Sequence, residues 1–206
     1  MSGVCSVKLC RSDGEAVVTL YGEDYRVTMA DYEQIGVADG EEVDEEKAAL
    51  FAEAAEKLSC IKKAFVYLSY RALPRRKLEE KLKKAGFCEA AIEKTVALLI
   101  KKGYLNDGEL CFEYAVALRD GKKFGASRLR KELYSKGFSK ECIEEALNAA
   151  FEEYEQEDAV LELLAKKFPS LQPDDRQGRS RAVAYLYRMG YSYDDINNAI
   201  EAFGRE

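Results

Sequence analysis

A 23-residue frame that recurs three times without a gap constrains this chain more than any other feature of its sequence. Three glycines, Gly86, Gly137 and Gly190, lie 51 and 53 residues apart, and each is followed by an aromatic, Phe87, Phe138 and Tyr191. Twelve positions before each glycine stands a helix breaker or starter: Pro74, Gly125 and Gly178. Eight before are Leu78, Leu129 and Ala182, and four before are Leu82, Leu133 and Leu186. Six after come Ile92, Ile143 and Ile196, and ten after come Val96, Leu147 and Ile200. Positions −8 and −4 share one face of a helix of about three turns. The glycine supplies the left-handed backbone that ends that helix, and the aromatic fits the apolar contact of a Schellman motif. Positions +6 and +10 again share a face, so a second helix folds back on the first. A helix preceding each frame, over 61–70, 110–118 and 160–168, completes a three-helix unit.

Each such unit buries too small a core to stand alone. The expected architecture is therefore mainly α: three tandem three-helix repeats, at 61–107, 108–158 and 159–206, stacked into an elongated, curved solenoid. The stretch 168–178 is the most loop-like part of the helical region. Residues 1–43 follow a different pattern. The runs 4–10 and 15–20 are β-prone and joined by Arg11-Ser12-Asp13-Gly14, which has turn chemistry. A third run at 25–28 follows Gly22-Glu23-Asp24, and a short helix through Tyr32 leads to an acidic loop at Gly40. This predicts a small β-hairpin or three-stranded appendage that must pack on a neighbour. A connecting helix over 44–60 starts at the N-cap Asp44, with Glu45 and Glu46 in its first turn and Leu50, Phe51, Ala54, Ala55 and Leu58 at helical spacing. A break near Ser59 is expected to separate it from the first repeat.

Composition removes whole classes of chemistry. The chain has no histidine, which excludes a Ser-His-Asp triad, a Cys-His dyad and imidazole metal ligands. Its six cysteines, Cys5, Cys10, Cys60, Cys88, Cys111 and Cys142, form no C-x-x-C pair. They read as buried free thiols in a reducing cytosol, with Cys88 and Cys142 beside apolar neighbours, and no metal is expected. No Walker A loop, G-x-G-x-x-G cradle or EF-hand is present, so no cofactor is expected. The acidic run at 152–158 reads as a solvated connector, Asp174-Asp175 as a loop, and Asp194-Asp195 as an N-cap. No apolar run reaches the length of a membrane span and no secretory signal is legible, so a cytoplasmic monomer is expected.

Charge is unevenly distributed. Residues 1–61 carry 5 basic and 14 acidic side chains, 62–140 carry 20 and 9, and 141–206 carry 7 and 15. The basic middle is the candidate functional surface, suited to an anionic partner. Its first-repeat candidates are Arg71, Arg75, Arg76, Lys77 and Lys81. Its second-repeat candidates are Arg119, Lys122, Lys123, Phe124, Arg128, Arg130 and Lys131. The segment Arg119-Asp120-Gly121-Lys122-Lys123-Phe124-Gly125 is the sharpest piece. Two glycines imply mobility, two lysines meet anions, Phe124 offers a stacking surface, and the helix that follows presents N–H groups suited to anions. Tyr67, Tyr70, Tyr104, Tyr114, Tyr185, Tyr187 and Tyr191 read as core or inter-repeat packing.

Ordered motifs along the chain resemble the RecX family. Ala64-Phe-Val-Tyr-Leu-Ser-Tyr-Arg71 is similar to its A-x-x-x-L-x-x-R opening, and Lys77-Leu-Glu-Glu-Lys-Leu-Lys-Lys-Ala-Gly-Phe87 follows, with Ile92. Leu98-Leu-Ile-Lys-Lys-Gly-Tyr-Leu-Asn-Asp107 is similar to L-x-x-x-G-Y-L-D-D, with Asn106 replacing the first acid. Phe112-Glu-Tyr-Ala115, Arg119, Lys123, Gly125, Leu129, Glu132-Leu133 and Lys136-Gly137 resemble the central signature, and the β-rich start resembles the extra segment of some members. Pro74 stands where the family often has a serine cap, and Leu110-Cys111 where a basic or aromatic residue is common. The resemblance implies a non-enzymatic helical repeat protein that lies in the groove of the RecA nucleoprotein filament and limits RecA's ATPase, strand exchange and co-protease activity. Its basic faces would meet acidic RecA surface, the DNA phosphate backbone, or both. The alternative is an autonomous helical DNA-binding module acting on naked DNA, distinguished by steeply salt-dependent binding.

Overall fold

The computed structural model describes residues 3–4, 6–10, 14–172 and 175–203. The turn expected at Arg11-Ser12-Asp13, and the readings of Cys5, the Cys10 side chain and Asp174, lie outside what is described. Among these described residues, five strands and ten helices follow in order: β1 (Gly3–Val4), β2 (Ser6–Cys10), β3 (Glu15–Leu20), β4 (Glu23–Thr28), α1 (Met29–Ile35), β5 (Glu42–Val43), α2 (Glu45–Tyr70), α3 (Arg75–Lys84), α4 (Glu89–Lys101), α5 (Asp107–Lys122), α6 (Ala126–Lys136), α7 (Lys140–Phe151), α8 (Gln156–Lys167), α9 (Arg176–Met189) and α10 (Tyr193–Phe203). They form two compact units, one of Met1–Leu73 with Lys77–Leu105, the other of Pro74–Arg76 with Asn106–Glu206.

In the first unit, β2, β3 and β4 form an antiparallel meander in which Val18 faces Val7 on one side and Tyr25 on the other. Alternation along β3 turns Ala16, Val18 and Leu20 to a single buried face, joined by Val27. A meander this small needs a cover, and Phe51 and Ala54 of α2 supply it within the same apolar cluster. β1 pairs with β5 beside it. Asp44 caps α2 by accepting the Lys47 N–H at 2.9 Å.

The break expected near Ser59 does not form, and α2 runs 26 residues without interruption. Ser59 is neither glycine nor proline, so nothing in the backbone stops the helix there. The buried residues Phe51, Ala54, Leu58, Cys60 and Ala64 carry its inner stripe from the core of the sheet into that of the first repeat. Two ion pairs reinforce the seating. Glu15, nearly buried at the start of β3, meets Lys62 at 2.7 Å. Asp31 of α1 meets Lys57 at 2.5 Å. Burial works to raise the Asp31 carboxyl, but hydrogen bonds from Lys57 and Thr28 win and hold it below its ordinary value.

All three frames fold as their spacing requires. Every residue at −8, −4, +6 and +10 is buried, and each repeat encloses its own small core. Gly86, Gly137 and Gly190 have φ of 94°, 101° and 100°. At each, the N–H of the aromatic that follows returns to the leucine carbonyl four residues before the glycine: Phe87 to Leu82, Phe138 to Leu133 and Tyr191 to Leu186. This is the six-to-one bond of a Schellman motif. Position −12 is less uniform. Pro74 and Gly125 precede α3 and α6, whereas Gly178 lies inside the first turn of α9, its N–H bonded to the N-cap Asp175 at 2.8 Å. Asn106 caps α5 through the Glu109 N–H, so replacing the expected acid costs nothing there. Ser192, not Asp194-Asp195, caps α10, accepting the Asp195 N–H at 3.1 Å.

Two outcomes follow for unfolding experiments. Gly86 has open space around it, so Gly86→Ala should cost only the left-handed penalty of about 1–2 kcal/mol. A Cβ at Gly190 would lie 2.4 Å from the Arg128 backbone nitrogen, so urea unfolding of Gly190→Ala should show a clearly larger loss. For Asp31, the stabilisation is present above the unfolded carboxylate range and lost as pH falls through its lowered folded value. Hydrogen exchange in α1 should accelerate over that acidic window, and Asp31→Asn should remove the dependence.

Candidate partner-binding surface

Tertiary contacts fix the loop that links α5 to α6. Lys123 has a left-handed backbone, φ 54°, unusual for a residue with a side chain. Its carbonyl accepts from the Tyr191 hydroxyl at 2.8 Å, and its ammonium meets Glu162 at 2.9 Å. Gly125 N–H donates to the Met189 carbonyl at 2.9 Å, and Ser127 N–H to the Gly190 carbonyl at 3.2 Å. A Cβ on Gly125 would stand 2.5 Å from the Gly190 carbonyl oxygen. Burial pushes the Tyr191 hydroxyl far above its ordinary value, which keeps it a neutral donor.

Two expectations are corrected here. The loop is pinned, and Gly125 serves close approach of two backbones, not mobility. The start of α6 is also not an open anion cradle. Ser127 N–H is spent on Gly190, while the Arg128 and Leu129 N–H groups return to the Gly125 carbonyl at 3.1 and 3.0 Å. The carbonyl end of α9 thus meets the amide end of α6, a favourable alignment of helix dipoles.

The twelve candidates separate into committed and displayed side chains. Arg119 is committed: its guanidinium bonds Asp120 at 2.7 Å, reaches the Ala150 carbonyl and lies 4.4 Å from the Tyr154 ring. Lys123 is held by Glu162, and Arg130 is bidentate to Glu144 at 2.6 and 2.8 Å. Phe124 is half-buried, with Arg128 4.9 Å and Lys122 5.6 Å from its ring, so the ring serves its own cations rather than an incoming base. Arg128 also bonds Glu132 at 3.1 Å and the Arg188 carbonyl at 3.4 Å. Lys122 and Lys131 are displayed, exposed and outside any ion pair among the described residues. In the first repeat Arg71 is displayed at the end of α2, Lys77 pairs with Glu80 at 2.8 Å, and Lys81 lies 5.0 Å from the Tyr67 ring. Arg75 and Arg76 open α3 on exposed positions, and the Arg75 N–H is bonded to Asp107 at 2.8 Å.

Several residues read as core or inter-repeat packing are on the surface. Tyr70, Tyr104 and Tyr187 are 82%, 60% and 56% exposed, and Tyr187 stacks on exposed Tyr193 with centroids 5.0 Å apart. Cys88 is exposed and caps α4, its sulfur 3.2 Å from a Glu56 oxygen. Cys60 and Cys111 are buried, and burial pushes the Cys111 thiol up to about 12. Sequence reading placed the helix α9 but missed its basic face, with Arg176, Arg179, Arg181 and Arg188 and no acidic residue. A charge count over single helices would have found it, whereas the sum over 141–206 hid it under fifteen carboxylates. Among the described residues no helix is long and apolar enough to cross a membrane, and no cluster of Cys, Asp and Glu is arranged to hold a metal ion.

These features define a protein of tandem three-helix repeats with an N-terminal β appendage. Family models agree: that of the RecX first three-helix domain matches residues 60–104, and that of the third matches 153–200. The chain is 34% identical over 139 residues to regulatory protein RecX of Chlorobium phaeobacteroides, spanning 67% of this chain and 89% of that one. It is 26% identical over 208 residues to regulatory protein RecX of Clostridium botulinum, with 98% and 96% covered. A crystal structure of a regulatory protein RecX superposes with a TM-score of 0.78 over 100% of both chains, at 20% identity, a likeness of fold. The chain belongs to the RecX family.

Two measurements test the pinned loop and the thiols. Tyr191→Phe removes one hydrogen bond and should cost about 1 kcal/mol by denaturant unfolding. With a thiol reagent at pH 8, native Cys88 should react quickly, while Cys60 and Cys111 wait for local unfolding.

Proposed function

We propose that this chain is a non-enzymatic regulator that binds the RecA nucleoprotein filament in its groove and restrains RecA's ATPase, strand exchange and co-protease activity. The observation that carries the reading is membership of the RecX family, at 34% identity to a curated regulatory member that it covers to 89%. The surface supports it, because exposed cations such as Lys122 and Lys131 are available to an anionic surface without first breaking a native ion pair.

In the second repeat the proposed contacts are Lys122 and Lys131, with Arg128 on Phe124 as a lesser contact because it is shared with Glu132. In the first they are Arg71 and Lys81, with Arg75, Arg76 and Lys77 at the start of α3. Arg119, Lys123 and Arg130 contribute by holding the second repeat's shape, since each would have to leave a good internal partner to meet another molecule.

The test is RecA's ATPase on single-stranded DNA with substoichiometric amounts of this protein. Inhibition well below one copy per RecA is the expected outcome, and an unchanged rate even at equimolar protein would refute the proposal. Exposed charge contacts contribute about 0.2–1 kcal/mol each. Lys122→Ala combined with Lys131→Ala should therefore raise the inhibitory concentration roughly two- to thirtyfold.

A further inference from the structure

We infer that the outer face of α9, with the Tyr187–Tyr193 pair at its end, is a binding surface for single-stranded nucleic acid. The inference concerns the third repeat and naked nucleic acid, and is independent of the RecA reading.

The first observation is charge segregation. Residues 141–206 hold seven basic and fifteen acidic side chains, yet four of the seven are arginines of α9, a helix with no Asp or Glu. None of the four is in an ion pair among the described residues. Arg179 reaches only the Asn197 amide oxygen at 3.4 Å, and Arg181 only the Gln177 carbonyl at 3.4 Å. Elsewhere Arg26, Arg119, Arg128 and Arg130 all meet carboxylates. In a region this acidic, four arginines without a carboxylate partner among the described residues are available to an external anion, and the guanidinium fork suits phosphate oxygens.

The second observation is the placement of aromatic rings. Arg181, Ala184 and Arg188 follow one stripe at helical spacing, with Tyr187 beside it. All four are exposed. Small Ala184 leaves the lane between the two arginines clear. Tyr187 and Tyr193 stack on each other at a 31° tilt, and both remain more than half exposed. Aromatic planes open to water beside phosphate-binding cations are the elements of a single-strand platform, where bases stack on rings and the backbone follows the charge. A duplex keeps its bases stacked internally and offers no face to such rings. Asp194 and Asp195 lie just beyond Tyr193, with Asp195 tied to the Ser192 hydroxyl. They repel phosphate at that end, so the backbone would run along the Arg181–Arg188 side.

The test uses the full chain without RecA, a labelled oligothymidylate and a duplex of equal length, read by fluorescence anisotropy across salt concentrations. Wild type should bind the single strand more tightly, with affinity falling linearly in log salt. Arg181→Ala with Arg188→Ala should lower that slope by about 0.7 for each phosphate no longer neutralised. Tyr187→Ala should weaken single-strand binding about tenfold and duplex binding little. The chain has no tryptophan, so quenching of its tyrosine emission by the oligonucleotide should report stacking and should diminish in Tyr187→Ala. All these positions are exposed, and matching thermal unfolding curves would confirm that the variants fold. Absence of single-strand binding at low salt, or full affinity in the double arginine variant, overturns the inference. Equal loss on single strand and duplex in Tyr187→Ala overturns the stacking assignment.

Discussion

Two glycine backbones pressed together hold the second and third repeats in place. Gly125 and Gly190 approach so closely that a Cβ on either would meet backbone atoms of the opposite segment at 2.4–2.5 Å. That proximity lets the α9 carbonyls of Met189 and Gly190 receive the N–H groups of Gly125 and Ser127. It also brings the Tyr191 hydroxyl to the Lys123 carbonyl, which helps hold Lys123 in its left-handed conformation. The direction in which Lys122, Phe124 and Arg128 leave the surface follows from this approach. A loop without it would have to order these side chains at the moment of binding, with an entropic cost per residue comparable to the whole gain from one ion pair.

The cations divide by what surrounds them. Where a carboxylate or carbonyl lies within reach, as for Arg119, Lys123 and Arg130, the side chain stiffens the repeat and presents little charge outward. Where the neighbours are aromatic or small, as along α9 beside Ala184 and Tyr187, the charge is displayed and not neutralised. A stacked cation keeps its field, which falls off over about a Debye length in physiological salt. A repeat protein can in this way display positive charge from a chain with a net charge of −6.

The repeat frame itself was plain in the sequence because it rests on local physics. Leucine or alanine at −8, leucine at −4, glycine, an aromatic and isoleucine at +6 specify helix, left-handed stop and return helix through interactions within about twenty residues. The absence of histidine and of phosphate-binding glycine motifs likewise needed no coordinates. The single long α2 was missed because a serine permits a helix to stop without requiring it. Packing on both the sheet and the first repeat decided for continuation.

For the surface, the sequence determined the inventory and the tertiary structure decided the use. Counting charges located a basic middle, but a count cannot show that Arg130 faces Glu144 fourteen residues on, or that Arg119 reaches the carbonyl of Ala150. It also assigned Tyr187 to core or inter-repeat packing, since an aromatic near a buried leucine looks alike on either side of a helix. The physical reason is range. Helix formation and termination depend on neighbours a few residues apart, whereas exposure, ion pairing and the pinning of the Gly125 loop depend on residues up to 68 positions away in the chain.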